Sequence, residues 1–234
     1  MVVKDLFKSV DYPRDIKERN RIVDEYNKKL EASIYSESKS KNTMLSIMFE
    51  IIALLCVVMI FTYGEISIIL KLLYAIPILA FTFYDFCLLF KSKKDKNTKT
   101  LYGKSVSQLF VFLAIIYSGT YIFAVVSLGD KFNTISASAL WCMFIMLSVI
   151  SFFEAVKNAP DKFLYKYLNS NKKYHSQPSW ALNITRVLIL VVCIFKPYML
   201  LMAVTYIIIT PLVYAFTFSY YVYLQYDEVQ NLRK

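Results

Sequence analysis

The sequence predicts an all-α integral membrane protein, with six transmembrane helices paired as three hairpins and both termini cytoplasmic. Three observations carry that prediction. The chain is 57% apolar and 19% charged, against roughly 45–50% and 25% for soluble domains, and its apolar residues fall in discrete blocks. The longest block, Leu182–Tyr226, holds Arg186 and Lys196 as its only charges. A helix crosses a bilayer core in about 20 residues, so this block is two crossings, folded at Lys196-Pro197-Tyr198 where proline breaks the helical ladder and lysine marks water. The third observation is that lysine and arginine collect in alternate connections.

In chain order, residues 1–42 form a polar segment with one helix inside it, over about 12–32. Pro13 suits the first helical position, with Asp11 or Tyr12 as cap. Asp15 and Glu18 then fall in the first turn and Lys28 and Lys29 in the last, as the helix dipole favours. Asp15–Arg19 and Asp24–Lys28 are spaced as i,i+4 pairs. Ile16, Val23, Tyr26 and Leu30 make a narrow apolar stripe, which suits a helix on the membrane surface or against a partner; a solvated helix beside the membrane is the plainer alternative.

The first span is Thr43–Tyr63, closed by Gly64-Glu65, and the second is Ile66–Phe90. A basic loop with Lys91, Lys93, Lys94, Lys96, Lys99 and Lys104 leads to the third, Ser105–Leu128. Gly129-Asp130-Lys131 turns into the fourth, Ser136–Val156. A second basic loop carries Lys157, Lys162, Lys166, Lys172 and Lys173, and within it Pro160 is placed to start a short interfacial helix bearing Phe163, Leu164, Tyr167 and Leu168. The fifth and sixth spans are Ala181–Phe195 and Met199–Tyr226, followed by a charged tail at 227–234. The domain reading is therefore a cytoplasmic segment (1–42), a six-helix membrane domain (43–226) and a cytoplasmic tail (227–234).

Charge orients the bundle. The amino-terminal segment, the two basic loops and the tail hold 10, 6, 5 and 2 Lys and Arg, and the three opposite turns hold 0, 1 and 1. Cytoplasmic loops carry such an excess, so every odd boundary agrees on one side. The net charge of +10 is then topological and does not call for nucleic acid. The first apolar block starts near residue 43 behind charged residues, which does not fit a cleavable signal peptide. The membrane expected is the cytoplasmic (plasma) membrane.

Charge inside a span costs some +2.5–3.5 kcal/mol on insertion scales, so each instance is a candidate site. At 1.5 Å per residue, Glu50 lies about 10 Å and Asp85 roughly 8 Å in from the cytoplasmic boundary, with Arg186 at similar depth and Glu154 nearer the surface. These four form a candidate intramembrane polar site. Its plain reading is a structural ion pair of Arg186 with Asp85 or Glu50; its sharper reading is a place for a proton, an ion or a headgroup. Lys71 snorkels toward the outer surface.

A second pattern runs along the sixth span, where Tyr206, Thr210, Tyr214, Thr217 and Tyr221 recur at helical spacing around Pro211. Tyr74, Thr82 and Asp85 make a comparable face on the second span, bent near Pro77. Such hydroxyls commonly tie helices together at about 0.6 kcal/mol each. The alternative is a wetted groove between spans two and six.

Enzyme signatures are missing: no HExxH, GxSxG, Walker loop or SxxK occurs, and the one histidine, His175, sits in a basic loop. Cys56, Cys87, Cys142 and Cys193 lie singly in apolar spans, which fits neither a disulfide framework nor a metal site. No cofactor is implied. Asn183-Ile184-Thr185 matches a glycosylation sequon on the wrong side for use. Glycine is scarce and no GxxxG occurs, which weighs against sliding helices, and no inverted repeat is seen. The expected function is a non-enzymatic polytopic membrane protein, of accessory, immunity or membrane-effector type, that works through a protein partner or a second copy of itself. The alternative is the membrane subunit of an ATP-driven exporter, since the layout resembles six-span export permeases in outline; a small carrier or channel using Glu50, Asp85 and Arg186 comes third.

Overall fold

A computed structural model describes residues 6–7, 10, 12–37, 41–63, 65–94, 97–167, 183–184, 187, 191 and 200–233. Their regular structure is helical throughout: α1 (Ile16–Glu37), α2 (Lys41–Thr62), α3 (Ile68–Lys94), α4 (Thr98–Leu128), a 3₁₀ turn (Gly129–Lys131), α5 (Thr134–Tyr167) and α6 (Leu200–Asn231). The stretches Ile68–Lys91, Thr98–Lys131, Thr134–Tyr167 and Ile207–Asn231 are each long and apolar enough to cross a bilayer, and Ile47–Thr62 is a shorter apolar helix. That is the make-up of a membrane protein. The fifth expected span, Ala181–Phe195, lies outside the described residues apart from 183–184, 187 and 191.

The bundle is organised by α4, which packs against α2, α3, α5 and α6. It starts earlier than the hydropathy pattern suggests, because Asn97 caps it by accepting the Lys99 amide at 3.2 Å. Its first turns are polar, but once a helix is nucleated each added residue gains a hydrogen bond, so the water boundary does not set its end. It stops at Gly129, whose φ of 50° is a left-handed conformation that costs residues with a Cβ. Across α4 the core divides in two. One cluster joins Ile60, Tyr74, Tyr121, Phe132, Ala137 and Leu147 near the short turns. The other gathers Val23, Tyr26, Leu30, Phe163, Tyr221 and Val229 at the basic end.

The helix directions follow from level pairs. Lys99 meets Asp227 at 2.5 Å and the rings of Phe110 and Phe216 touch, so α4 and α6 are antiparallel. Tyr117 meets Phe144, and Phe163 meets Tyr221. Thus α5 descends from the level of Tyr117 to the level of Tyr221, in the same direction as α6.

Three expectations need correction. Pro160 does not begin a separate helix: α5 runs through it to Tyr167, with Ala159, Pro160 and Phe163 buried. A helix interior proline forfeits one hydrogen bond, and burial of these neighbours against α1 and α6 outweighs that loss. Phe163, Leu164 and Tyr167 accordingly face protein and not an interface with lipid. The amino-terminal helix starts at Ile16, because the Asp15 carboxylate accepts the Lys17 amide at 3.2 Å and so sits as a cap before the helix instead of in its first turn. Its stripe shifts with it: Ile16 is exposed, while Ile22 joins Val23, Tyr26 and Leu30 inside. Finally, residues 227–231 are no free tail. They extend α6 and meet α1, where Gln230 Nε2 donates to Asn27 Oδ1 at 2.6 Å and Arg233 pairs with Asp24.

Candidate functional site

Three helices deliver the buried polar centre. Glu50 comes from α2, Asp85 from α3 and Ser107 from α4, at relative exposures of 9%, 1% and 0%. The two carboxyls are expected at one depth, and the structure places them as neighbours, with the Lys104 ammonium near Glu50. The Ser107 hydroxyl donates to Asp85 Oδ1 and also lies 2.7 Å from the Lys104 carbonyl of its own helix. Glu50 Oε1 is buried, with no hydrogen-bond partner among the described residues.

Chemically, the arrangement is a carboxyl pair in apolar surroundings, with one hydroxyl donor and one ammonium near by. It can hold and release a proton, or exchange that proton for a small cation. Ser107 and Lys104 were missed by sequence reasoning. Their spacing of three on one helix face was the available signal, hidden because Lys104 was assigned to a loop. Arg186, the expected partner of the pair, lies outside the described residues. Glu154 is half-buried on α5 and is not among the charges acting on Glu50.

The hydroxyl-bearing residues are distributed differently. Tyr74 sends its hydroxyl to the Ala137 carbonyl of α5 at 3.2 Å and stacks on Tyr117 at 5.1 Å. Thr82 and Thr217 donate to Ile78 and Val213 of their own helices, each at 2.8 Å. Thr210 and Tyr221 are buried, Tyr214 is half-buried, and the side chain of Tyr206 lies outside the described residues. The Tyr221 hydroxyl has no hydrogen-bond partner among the described residues. The space that does open near α3 and α6 is apolar, and of these residues only Thr217 lines it. At the short-turn end, Lys71 Nζ donates to the Phe61 carbonyl at 2.9 Å, satisfying one of the carbonyls that a helix end leaves open.

Cys56 is buried and Cys87 and Cys142 are exposed, all unpaired. Among the described residues no group of three or more His, Cys, Asp or Glu side chains could hold a metal ion. No protein-family model, curated protein or solved structure matches the chain.

Proposed function

We propose that this chain is a non-enzymatic, six-span protein of the cytoplasmic membrane, with both termini cytoplasmic, that acts through a protein partner. One observation carries the reading: α1 is built into the basic end of the bundle and holds a charged face outward. Val23, Tyr26 and Leu30 are buried, whereas Lys17, Glu18, Arg21, Asp24, Lys28 and Glu31 are exposed. A helix held rigidly by one face and decorated with both signs of charge on the other is a preformed docking platform, which lowers the ordering cost of association.

The six-span count draws support from direction. α5 ends at the basic end and α6 starts at the opposite end, running the same way, which fits one further crossing between them. The apolar run 181–195 is the segment suited to that crossing. Purification in mild detergent followed by native mass spectrometry tests the function. A co-purifying protein lost on Arg21→Glu with Lys28→Glu, with the fold intact, is the expected result. A nucleotide-binding partner points to the exporter subunit instead, and a self-associated species to a homo-oligomer. An unaccompanied monomer, unaltered by the charge reversals, overturns the proposal.

A second reading, a small proton- or cation-coupled carrier, is favoured specifically by the Glu50–Asp85 pair. Its test is ion uptake into proteoliposomes, abolished by Glu50→Gln.

A further inference from the structure

Four helices leave an apolar groove of about 890 Å³, within the roughly 300–1,000 Å³ range of small-molecule sites. Its floor is Ala114 of α4 and Val213 of α6, both buried, and its rim is Ile76 of α3 facing Ile145, Val149 and Phe153 of α5, all exposed. The groove therefore opens sideways, between two helices that cross the bilayer. Along α5 it runs from Trp141 to Phe153, about 18 Å at 1.5 Å per residue. Half of a hydrocarbon core of about 30 Å is close to that length.

We propose that this groove holds one hydrocarbon chain of a membrane phospholipid, lying along α5 and entering between Ile76 and Val149. Water is a poor occupant. A buried water makes about three hydrogen bonds, and among the described residues the groove's lining has one buried side-chain polar atom left unpartnered, the Ser148 hydroxyl. Two further lining hydroxyls are spent on backbone: Tyr117 donates to Leu73 at 3.1 Å and Thr217 to Val213. In contact with lipid, a dry apolar slot of one-leaflet length fills with the hydrocarbon beside it. A chain seated there is held on three sides by α3, α5 and the α4–α6 floor, unlike the lipid that only brushes α2.

The test uses the full chain in proteoliposomes doped with a phospholipid carrying a photoactivatable diazirine in mid-chain, with labelled peptides mapped by mass spectrometry. Labelling severalfold denser around Leu73–Pro77 and Trp141–Phe153 than around Leu54, Leu55 and Val58 on the outer face of α2 is expected. Ala114→Phe, which fills the floor, should bring the groove down to the α2 level; Ser148→Trp is the second filling variant, and each is first checked for an unaltered melting temperature. Uniform labelling of the wild-type chain overturns the proposal, and so does groove labelling that survives filling. In a background lacking the four native cysteines, an efficient disulfide between Ser148→Cys and Val191→Cys would also overturn it, by making the apolar segment 181–195 the occupant.

Discussion

The Tyr26 hydroxyl of α1 donates to the Val222 carbonyl of α6 at 2.9 Å, across 196 residues of chain. Around that bond the Tyr26 ring is fully buried among Phe163, Tyr167 and Tyr226, so one side chain both packs and orients the amino-terminal helix. Removing only the hydroxyl, in Tyr26→Phe, should cost about 1 kcal/mol and leave α1 in place. Tyr26→Ala empties the site and should cost about 3–5 kcal/mol, as other buried aromatic truncations do. Hydrogen exchange of α1 amides checks both: protection is retained in the first variant and lost in the second. Protection retained in Tyr26→Ala would mean that the Gln230 and Arg233 contacts alone hold the helix.

The same contact makes α1 sensitive to alkali. Burial, then the negative charge of neighbours (Glu228 for Tyr12, Tyr102 for Tyr26), raises both phenols above their ordinary value of 10.0. A released amino-terminal segment ionises Tyr12 and Tyr26 near pH 10, whereas the docked segment keeps them protonated. Docking is therefore constant below pH 10 and weakens as the pH climbs beyond it. Exchange protection of α1 measured between pH 8 and about 11.5 should fall in the upper part of that window, and less steeply in Tyr26→Phe. An equal fall in both proteins would place the sensitivity elsewhere.

At the carboxyl pair, Ser107→Ala removes a hydroxyl that donates to Asp85 and should cost about 1–3 kcal/mol, since a charged or polar group in apolar surroundings loses a hydrogen bond. Asp85→Asn keeps an acceptor for Ser107 while removing the carboxyl group. In a double-mutant cycle the two changes should couple by about 0.5–3 kcal/mol, as residues in contact do. Thermal unfolding in detergent of the two single variants, the double variant and the parent gives the coupling directly. Additive losses would mean that Ser107 serves only its own helix, through the Lys104 carbonyl.

What the residues announced in advance was whatever depends on local periodicity. The apolar blocks located α2 to α6, and the recurrence of Val23, Tyr26 and Leu30 identified the inner face of α1. What packs there was invisible, because it is made by pairs such as Asn27–Gln230 and Tyr26–Val222 that lie far apart in the chain. Polar residues at 227–231 looked like a solvated tail, and only the presence of α1 makes them worth keeping helical. Pro160 misled for a related reason: its local preference is a helix start, and the burial of Phe163 overrides it. In the candidate site, charge in an apolar run drew attention to Glu50 and Asp85. Ser107 carries no charge and Lys104 sits at a boundary where lysine is ordinary, so neither stood out.

α4 comes close to α6 at Gly103, where an added Cβ would lie 3.1 Å from Tyr223 Cε2. Two effects compete in Gly103→Ala. Alanine is worth up to about 1 kcal/mol over glycine inside a helix, and the contact is tight enough to require movement. The atom that must move is the edge of a half-buried ring, overlain by Lys99 at 5.9 Å and not locked by backbone. It can yield toward the basic end, so the propensity gain should win and Gly103→Ala should melt slightly higher than the parent. Gly103→Leu cannot be absorbed in this way. Forcing extra methylenes into a close helix crossing costs about 1–3 kcal/mol, and here it would separate α4 from α6 where Lys99 meets Asp227. Melting temperatures of the two variants, with α1 exchange as the readout of the basic end, decide the matter: leucine should lower both, and a lower melt for alanine would show that Tyr223 is held too firmly to move.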